Sequence, residues 1–446
     1  MTPLIPPRLA ATSALLLACL GSLGAAPCAA QAPPDSAATQ ATAPPARVFG
    51  SIEVAGNTRT AAAVILRELG FAAGEPFAPK KVELAWDRLE DLGAFAFVDI
   101  ELEEEEDADG TVVVMVTITV EEEQTLHWYP LIDYSRRHKY RLGGRVQEGN
   151  FRGRGEKIAA EATAIRVLGA RASWERPWLA NRSWLAGGLG AGWERAEFVY
   201  RPTKYTTWDA GGHLRALLPG SLYLDAAGTF MGFRQHSDVV EHAPDRGDDL
   251  AADLLWTHGW RNRFTLGLTL GRDTRDLEFY PTGGAWHRII ARRAISDGFD
   301  SYSEVIGDLR QFVPMPLHKV LALRAWGRRV SNAVPLEDRL WWGGPETIRG
   351  YRYASLEGEE GWLLSAEYRW PLFLMPISSE GHVIGIGVHL FWDAGDAWYD
   401  GGSPGSPLMS WGAGAHMNLS SLNLRFECAR TREGENVFQF EDHFNF

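Results

Sequence analysis

From Thr125 to Phe446 apolar residues alternate with small or polar ones, and this period of two constrains the fold more than any other feature. Phe264, Leu266, Leu268 and Leu270 interleave with Thr265, Gly267 and Thr269. Leu364, Ala366, Tyr368 and Trp370 interleave with Ser365, Glu367 and Arg369. Ile384, Ile386, Val388, Leu390 and Trp392 interleave with Gly385, Gly387, His389, Phe391 and Asp393. Successive side chains of a strand point to opposite faces, so each segment has one greasy face and one small or polar face. A soluble sandwich would bury the greasy face; a membrane barrel would turn it to lipid and the other to its lumen. The alternating region is 322 residues long. That is unusually long for one sandwich, whereas about sixteen membrane strands with turns, at roughly 20 residues each, fill it.

Other features agree. There is no run of about 18 apolar residues after the N-terminal segment, so no ordinary helical span is expected. The chain holds Trp 18 and Gly 47 in 446 residues. Barrels place aromatic girdles at both membrane interfaces, and small residues let strands curve.

Residues 1–30 read as a cleaved secretory signal: Arg8 precedes an apolar stretch from Leu9 to Ala25, followed by small residues up to Ala30. Residues 31–46, rich in Pro, Ala and Thr, read as a flexible leader. Cleavage would leave Cys428 as the sole cysteine, so neither an intramolecular disulfide nor a cysteine-pair metal site is expected.

A small domain is predicted at residues 47–124. Val48, Ile52 and Val54 read as a strand. Thr58 or Thr60 is positioned to cap a helix carrying Ala62, Ile65, Leu66 and Leu69. Pro79 starts a second helix with Val82, Leu84, Ala85, Leu89 and Leu92 on its buried side. Strands follow at Phe95–Ile100 and Thr111–Val120, giving the order β-α-α-β-β. The run Glu103–Asp107 reads as a solvated hairpin tip, with partner docking as the alternative. This domain has 18 acidic and 6 basic residues, whereas the region after it has 38 acidic and 37 basic. A domain so acidic lacks the basic face that phosphate binding needs, so no nucleic-acid partner is expected.

One domain and five strings, in order, carry a family resemblance. The domain at 47–124 resembles a POTRA domain. Gly149-Asn150-Phe151-Arg152-Gly153-Arg154-Gly155 resembles the first periplasmic turn of the BamA/TamA-like outer-membrane assembly factor superfamily. Residues 272–284 resemble a later turn. Gly343-Gly344-Pro345-Glu346-Thr347-Ile348-Arg349-Gly350-Tyr351 resembles the family's inward-folding lid loop, here at about 332–359. Residues 390–398 resemble the strand facing that loop, and the end of the chain resembles the barrel-insertion signal. The resemblance implies a barrel of about sixteen strands, at 125–446, in the bacterial outer membrane, with its POTRA domain in the periplasm. It also implies periplasmic turns near 150–154, 177–182, 219–220, 276–284, 313–317 and 371–381. Plain alternation yields seventeen segments; the implied turns leave only two strands between Gly220 and Asp276, so residues 235–260 should be a loop or strand extension.

The candidate site follows from these strings. In an inward lid, the Arg349 guanidinium would leave bulk water and need acidic partners. Alternation puts Asp393 and Glu367 on the lumen face, Asp393 being the pair that the resemblance also implies. Gly343, Gly344 and Gly350 would let the lid turn sharply, with Ile348 and Tyr351 at the core of its motif and Gly395 on the facing strand. In the last strand Phe438, Phe440, Phe444 and Phe446 share one face, broken by Asp442. The resemblance makes this strand one edge of a seam to which a client strand could add.

Gly401-Gly402-Ser403-Pro404-Gly405 matches the letters of a nucleophile elbow, which needs a strand before it and a helix after it. Here it falls between two expected strands. No catalytic set, metal site or cofactor is expected. The expected function is insertion or translocation of unfolded outer-membrane or secreted polypeptides, in contact with the lipid bilayer and with possible accessory periplasmic proteins. The alternative is a gated pore or lipid-handling channel.

Overall fold

The computed structural model describes residues 47–108, 110–135, 139–165, 167–198, 203–236, 259–278, 280–297, 300–376, 383–420 and 422–441. The expected signal and leader, and Asp442, Phe444 and Phe446 of the last strand, lie outside these residues.

The N-terminal domain has the predicted element order: β1 (Arg47–Ala55), α1 (Ala62–Glu68), α2 (Pro79–Asp91), β2 (Phe95–Glu106) and β3 (Val112–Glu122). Its sheet runs β1-β3-β2, with β1 parallel and β2 antiparallel to the central β3. Phe49, Ile65, Leu69, Phe71, Ala85, Leu89, Val98, Val116, Ile118 and Val120 form one core. Phe49 and Phe71 stack in it at 4.0 Å between ring centroids.

Three local expectations are corrected. Ala61, not a threonine, is the N-cap of α1 and gives no side-chain cap; the Thr58 hydroxyl donates to Glu122 instead, and the Thr60 hydroxyl accepts from Asn150. Leu66 and Leu84 are exposed; the buried stripes fall on Val64, Ile65 and Leu69 and on Ala85 and Leu89. Glu103–Glu106 are strand residues paired with Met115–Val112, so the tip is the following turn alone. β2 is an outer strand of the sheet, which is why four consecutive glutamates are tolerated there: their side chains remain exposed.

Sixteen further strands form one antiparallel sheet, beginning at β4 (Leu126–Ser135) and ending at β21 (Asn436–Glu441). Neighbours in the sheet are neighbours in sequence. The exception is the join from β14 (Lys319–Val330) to β17 (Glu360–Pro376), whose long connection carries its own hairpin, β15 (Leu340–Trp342) with β16 (Leu356–Gly358). Among the described residues only β10 (Leu222–Gln235) and β11 (Arg261–Asp273) lie between Gly220 and Asp276, and the sheet has sixteen strands, not seventeen. Residues 237–258, between those two strands, lie outside the described residues. An even number of antiparallel strands returns both ends of the barrel to one side, which carries the N-terminal domain and is called the near end here.

The burial pattern is inverted relative to a soluble protein. Leu266, Leu268, Leu270, Ile289, Leu364, Trp370, Ile386 and Leu390 are exposed, while Glu367, Arg369, His389, Asp393, Arg425 and Glu427 are buried. Apolar exposure this extensive marks a surface that meets something other than water. The sheet curls on itself: Tyr280, carried between β11 and β12 (Gly284–Ser296), is hydrogen-bonded at 3.0 Å to His416 of β19 (Leu408–Ser420). Around this closed form the ladder stays open at one place. β21 and β4 are the two ends of the sheet, and no ladder joins them among the described residues.

The N-terminal domain is held to the barrel by the turn after β5 (Lys139–Phe151). Asn150 is buried; its Nδ2 donates to Thr60 Oγ1 at 2.8 Å, and its Oδ1 accepts from Gly155 N–H at 2.8 Å. Ala61 N–H donates to the Gly153 carbonyl at 2.9 Å. Gly153 has φ +65, and a Cβ there would stand 2.0 Å from the Arg59 carbonyl oxygen. Gly153→Ala should therefore push the domain off its seat, because both the backbone conformation and the contact forbid the methyl. Limited proteolysis in detergent should release the domain from the variant faster than from the wild type, with the barrel intact; equal release would contradict this.

The same joint contains a titratable clasp. The Glu122 carboxylate accepts from the N–H groups of Thr58 (3.1 Å), Arg59 (2.8 Å) and Thr60 (2.5 Å) and from the Thr58 hydroxyl (2.5 Å). Burial raises its pKa, but the hydrogen bonds from Thr58, Thr60 and Arg59 outweigh burial and hold it at about 2. An unfolded glutamate titrates at about 4.3. Since the folded value is depressed, the clasp contributes fully above that pH and is lost as the pH falls towards 2. Hydrogen exchange at residues 58–60, taken relative to the intrinsic rate at each pH, should accelerate as the pH falls across that window in the wild type. In Glu122→Gln it should already be fast at neutral pH; identical acid profiles would contradict the assignment.

Candidate functional site

The connection between β14 and β17, residues 331–359, folds into the lumen. At its base, Asp338 is ion-paired with Arg263 of β11, and Arg339 donates to Glu357 at 3.0 Å within the lid itself. At its tip, Gly343 N–H donates to the Thr347 hydroxyl at 2.9 Å, and Thr347 N–H to the Gly344 carbonyl at 3.1 Å. This tight turn presents Ile348 and Arg349, both with no exposed surface.

Each lid residue has a seat on the wall. Arg349 Nε and Nη2 donate to the two oxygens of Asp393 at 2.6 and 2.8 Å, a bidentate fork, and its N–H adds a third bond at 3.2 Å. Arg349 Nη1 donates to Glu367 at 2.6 Å and reaches Glu427 at 3.2 Å. The guanidinium also lies 3.8 Å from the Phe391 ring centroid, a cation–π contact in a dry site. Ile348 packs where β18 (Val383–Trp398) has Gly395: a Cβ at Gly395 would come within 3.0 Å of Ile348 Cδ1. Gly350 has φ +84, and a Cβ there would meet the Ala429 methyl at 2.8 Å, so no larger residue fits. Gly350 N–H donates to Gln439 Oε1 of β21 at 3.1 Å. The Tyr351 hydroxyl donates to Glu433, between β20 (Leu422–Thr431) and β21, at 2.6 Å.

Alternation explains why these wall residues face inward. Ser365, Glu367 and Arg369 of β17, His389, Phe391 and Asp393 of β18, and Arg425 and Glu427 of β20 are all buried, while Leu390 and Phe426 beside them are exposed. The same rule places Phe438 and Phe440 outward, 69% and 46% exposed, and Gln439 inward.

The structure adds residues that the sequence reading did not single out. Arg425 donates to Glu367 at 2.6 Å and to Glu427 at 3.1 Å, and Arg369 donates to Glu367 at 2.8 Å. Three guanidiniums thus meet three carboxylates, so the cluster is charge-balanced although buried. From it a chain of contacts runs from Glu427 through His389 (2.9 Å) and His416 (3.1 Å) to Tyr280 (3.0 Å), which belongs to the near-end turn. Lumen parity in β20 could have marked Arg425 and Glu427; nothing in the sequence brings Tyr280 to His416.

Glu367, His389 and Glu427 offer ligand atoms within 4.8 Å of one another. Arg425 Nη2 lies 2.6 Å from Glu367 and 2.9 Å from Glu427, so a guanidinium already supplies the positive charge a metal would bring. The Gly401–Gly405 string lies between strands β18 and β19, without the helix that a nucleophile elbow requires.

Residues 48–123 match the POTRA domain described as a surface antigen variable number repeat, and residues 150–446 match the Omp85 superfamily domain. No curated protein matches the chain in sequence. Among solved structures the fold is similar to BamA from Haemophilus ducreyi lacking POTRA domains 1–3, with TM-score 0.69 and 17% identity over 88% of this chain and 83% of that one. CdiB from Acinetobacter baumannii has TM-score 0.53 and 15% identity over 88% and 73%, respectively. CdiB from Escherichia coli has TM-score 0.50 and 14% identity over 92% and 91%. The chain belongs to the Omp85 superfamily: it is an outer-membrane β-barrel with a periplasmic POTRA domain, in a family of insertases and translocases for polypeptides at that membrane.

Proposed function

We propose that this protein assembles or exports client polypeptides by lending them the edges of β4 and β21, with the lid setting when those edges are available. The observation that carries this reading is that no ladder joins β4 to β21 among the described residues, although the sheet between them is continuous. A strand edge offers unpaired N–H and C=O groups to any extended chain, whatever its sequence. The lid supports the reading because it is bonded to the seam strand itself, through Gly350 and Gln439. Gln439 in turn donates to Glu427 at 2.7 Å, so lid, salt cluster and last strand form one connected unit. The POTRA domain, close to the mouth, would deliver the client, with or without accessory periplasmic proteins.

Reconstitution tests this. Vesicles containing the purified protein should speed the folding of an added unfolded outer-membrane barrel over empty vesicles, and Arg349→Ala should abolish most of that gain. If folding is not accelerated while the vesicles show steady conductance or altered lipid exchange, the pore or lipid-handling reading takes its place.

A further inference from the structure

A second group of charges lines the lumen on β12, β13 (Tyr302–Met315) and β14, apart from the lid cluster. Asp308 is buried and accepts from Arg288 (2.9 Å), Arg310 (2.9 Å) and Arg324 (3.1 Å). Arg275, just beyond β11, pairs with Asp273 at 2.7 Å. Trp286 stands in the middle. Its ring centroid is 3.9 Å from the Arg288 guanidinium, 4.5 Å from that of Arg275 and 4.6 Å from that of Arg310. Among the described residues, the guanidiniums of Arg275, Arg288 and Arg310 therefore share one aromatic face and two carboxylates, Asp273 and Asp308, whereas the lid cluster has three of each charge. The aromatic face accommodates the excess without cancelling it.

We propose that this group is an oxyanion site, taking a phosphate or carboxylate that enters from the periplasmic mouth. Three features favour it. The place is reachable from that side: Arg288 is four residues from the near end of β12, and its side chain keeps 26% of its exposure. Arg288 Nε is buried with no hydrogen-bond partner among the described residues, so a donor is left over on the very fork that holds Asp308. Guanidinium forks match the geometry of oxyanions better than that of halides. The apolar outer wall would concentrate this positive field within the lumen. Arg288 and Arg310 hold the anion above Trp286, and Asp308 keeps the two side chains in place.

The test uses the full-length protein folded in detergent. Its thermal unfolding is followed with inorganic phosphate and, separately, with hexaglutamate, each against chloride at equal ionic strength. Saturable stabilisation by either ligand is expected, and at least a tenfold weaker response in Arg288→Gln/Arg310→Gln. A response to phosphate alone identifies a free small anion; a response to the peptide as well identifies acidic polypeptide as a source. Arg288→Gln alone serves if the double variant does not fold, and Arg288→Lys should keep only part of the response. No stabilisation of the wild type by either probe overturns the proposal, as does a folded Gln variant that responds like the wild type.

Discussion

Arg349→Ala is expected to leave the barrel exported and folded but with a free lid, little assembly activity and much reduced stability. The side chain has no exposed surface and answers three carboxylates, Asp393, Glu367 and Glu427. Removing one member of a buried ion pair costs about 3–5 kcal/mol, because the partners are left charged and dry. Here the loss would leave three carboxylates facing two guanidiniums. Urea unfolding and protease access to residues 331–359 should both shift. Asp393→Ala should behave similarly, since it takes away the fork and the bond to the Arg349 N–H together. Either single change leaves the buried charges unequal, whereas the double variant restores equal numbers of the two signs, so it should be scarcely worse than each single one. Independent, additive losses would contradict the pairing.

Glu367→Gln is expected to be nearly as damaging, through the wall and not the lid. Glu367 accepts from Arg349, Arg369 and Arg425 at 2.6, 2.8 and 2.6 Å and has no exposed surface. Glutamine keeps the size but replaces one charged oxygen with a donor that faces guanidinium donors. Hydrogen bonds to charged groups are worth roughly 1.5–3 kcal/mol each, so a loss on the order of 3 kcal/mol is expected. Arg349 keeps its fork to Asp393, so the lid should stay seated longer than in Arg349→Ala. Charge balance supplies a sharper check. Adding Arg425→Gln to Glu367→Gln restores equal numbers of the two signs and should recover part of the stability. If it only deepens the loss, the balance of charges is not what holds the cluster.

Much of this fold was legible because a barrel strand writes its two faces directly into the sequence. The alternation at 364–370 and 384–393 placed Glu367 and Asp393 inward without any contact information, and the lid motif gave Arg349 as the group to meet them. What alternation cannot give is which inward residues meet across the lumen. Arg425, Glu427 and Gln439 had the right parity, yet their convergence on Arg349 and Gly350 depends on how the sheet curls and how deep the lid reaches. Tyr280 is a stronger case: it lies in a turn, where periodicity says nothing, and its burial comes from the turn folding inward. The thresholds of the small domain were misplaced for a local reason. Thr58 and Thr60 look like helix caps, but partners distant in sequence hold their hydroxyls: Thr58 donates to Glu122, and Thr60 accepts from Asn150.

The central claim is that clients are handled at the seam, and photo-crosslinking in cells tests it most directly. A reactive amino acid is placed at Phe438 or Phe440, which project from β21 next to the open edge, and at Leu266, which projects from the paired wall. Adducts with nascent outer-membrane or secreted polypeptides are expected at the β21 positions, and few at Leu266. If correctly folded and localised protein captures no polypeptide at β21, or captures equally well at Leu266, then the seam is not where this barrel meets its clients.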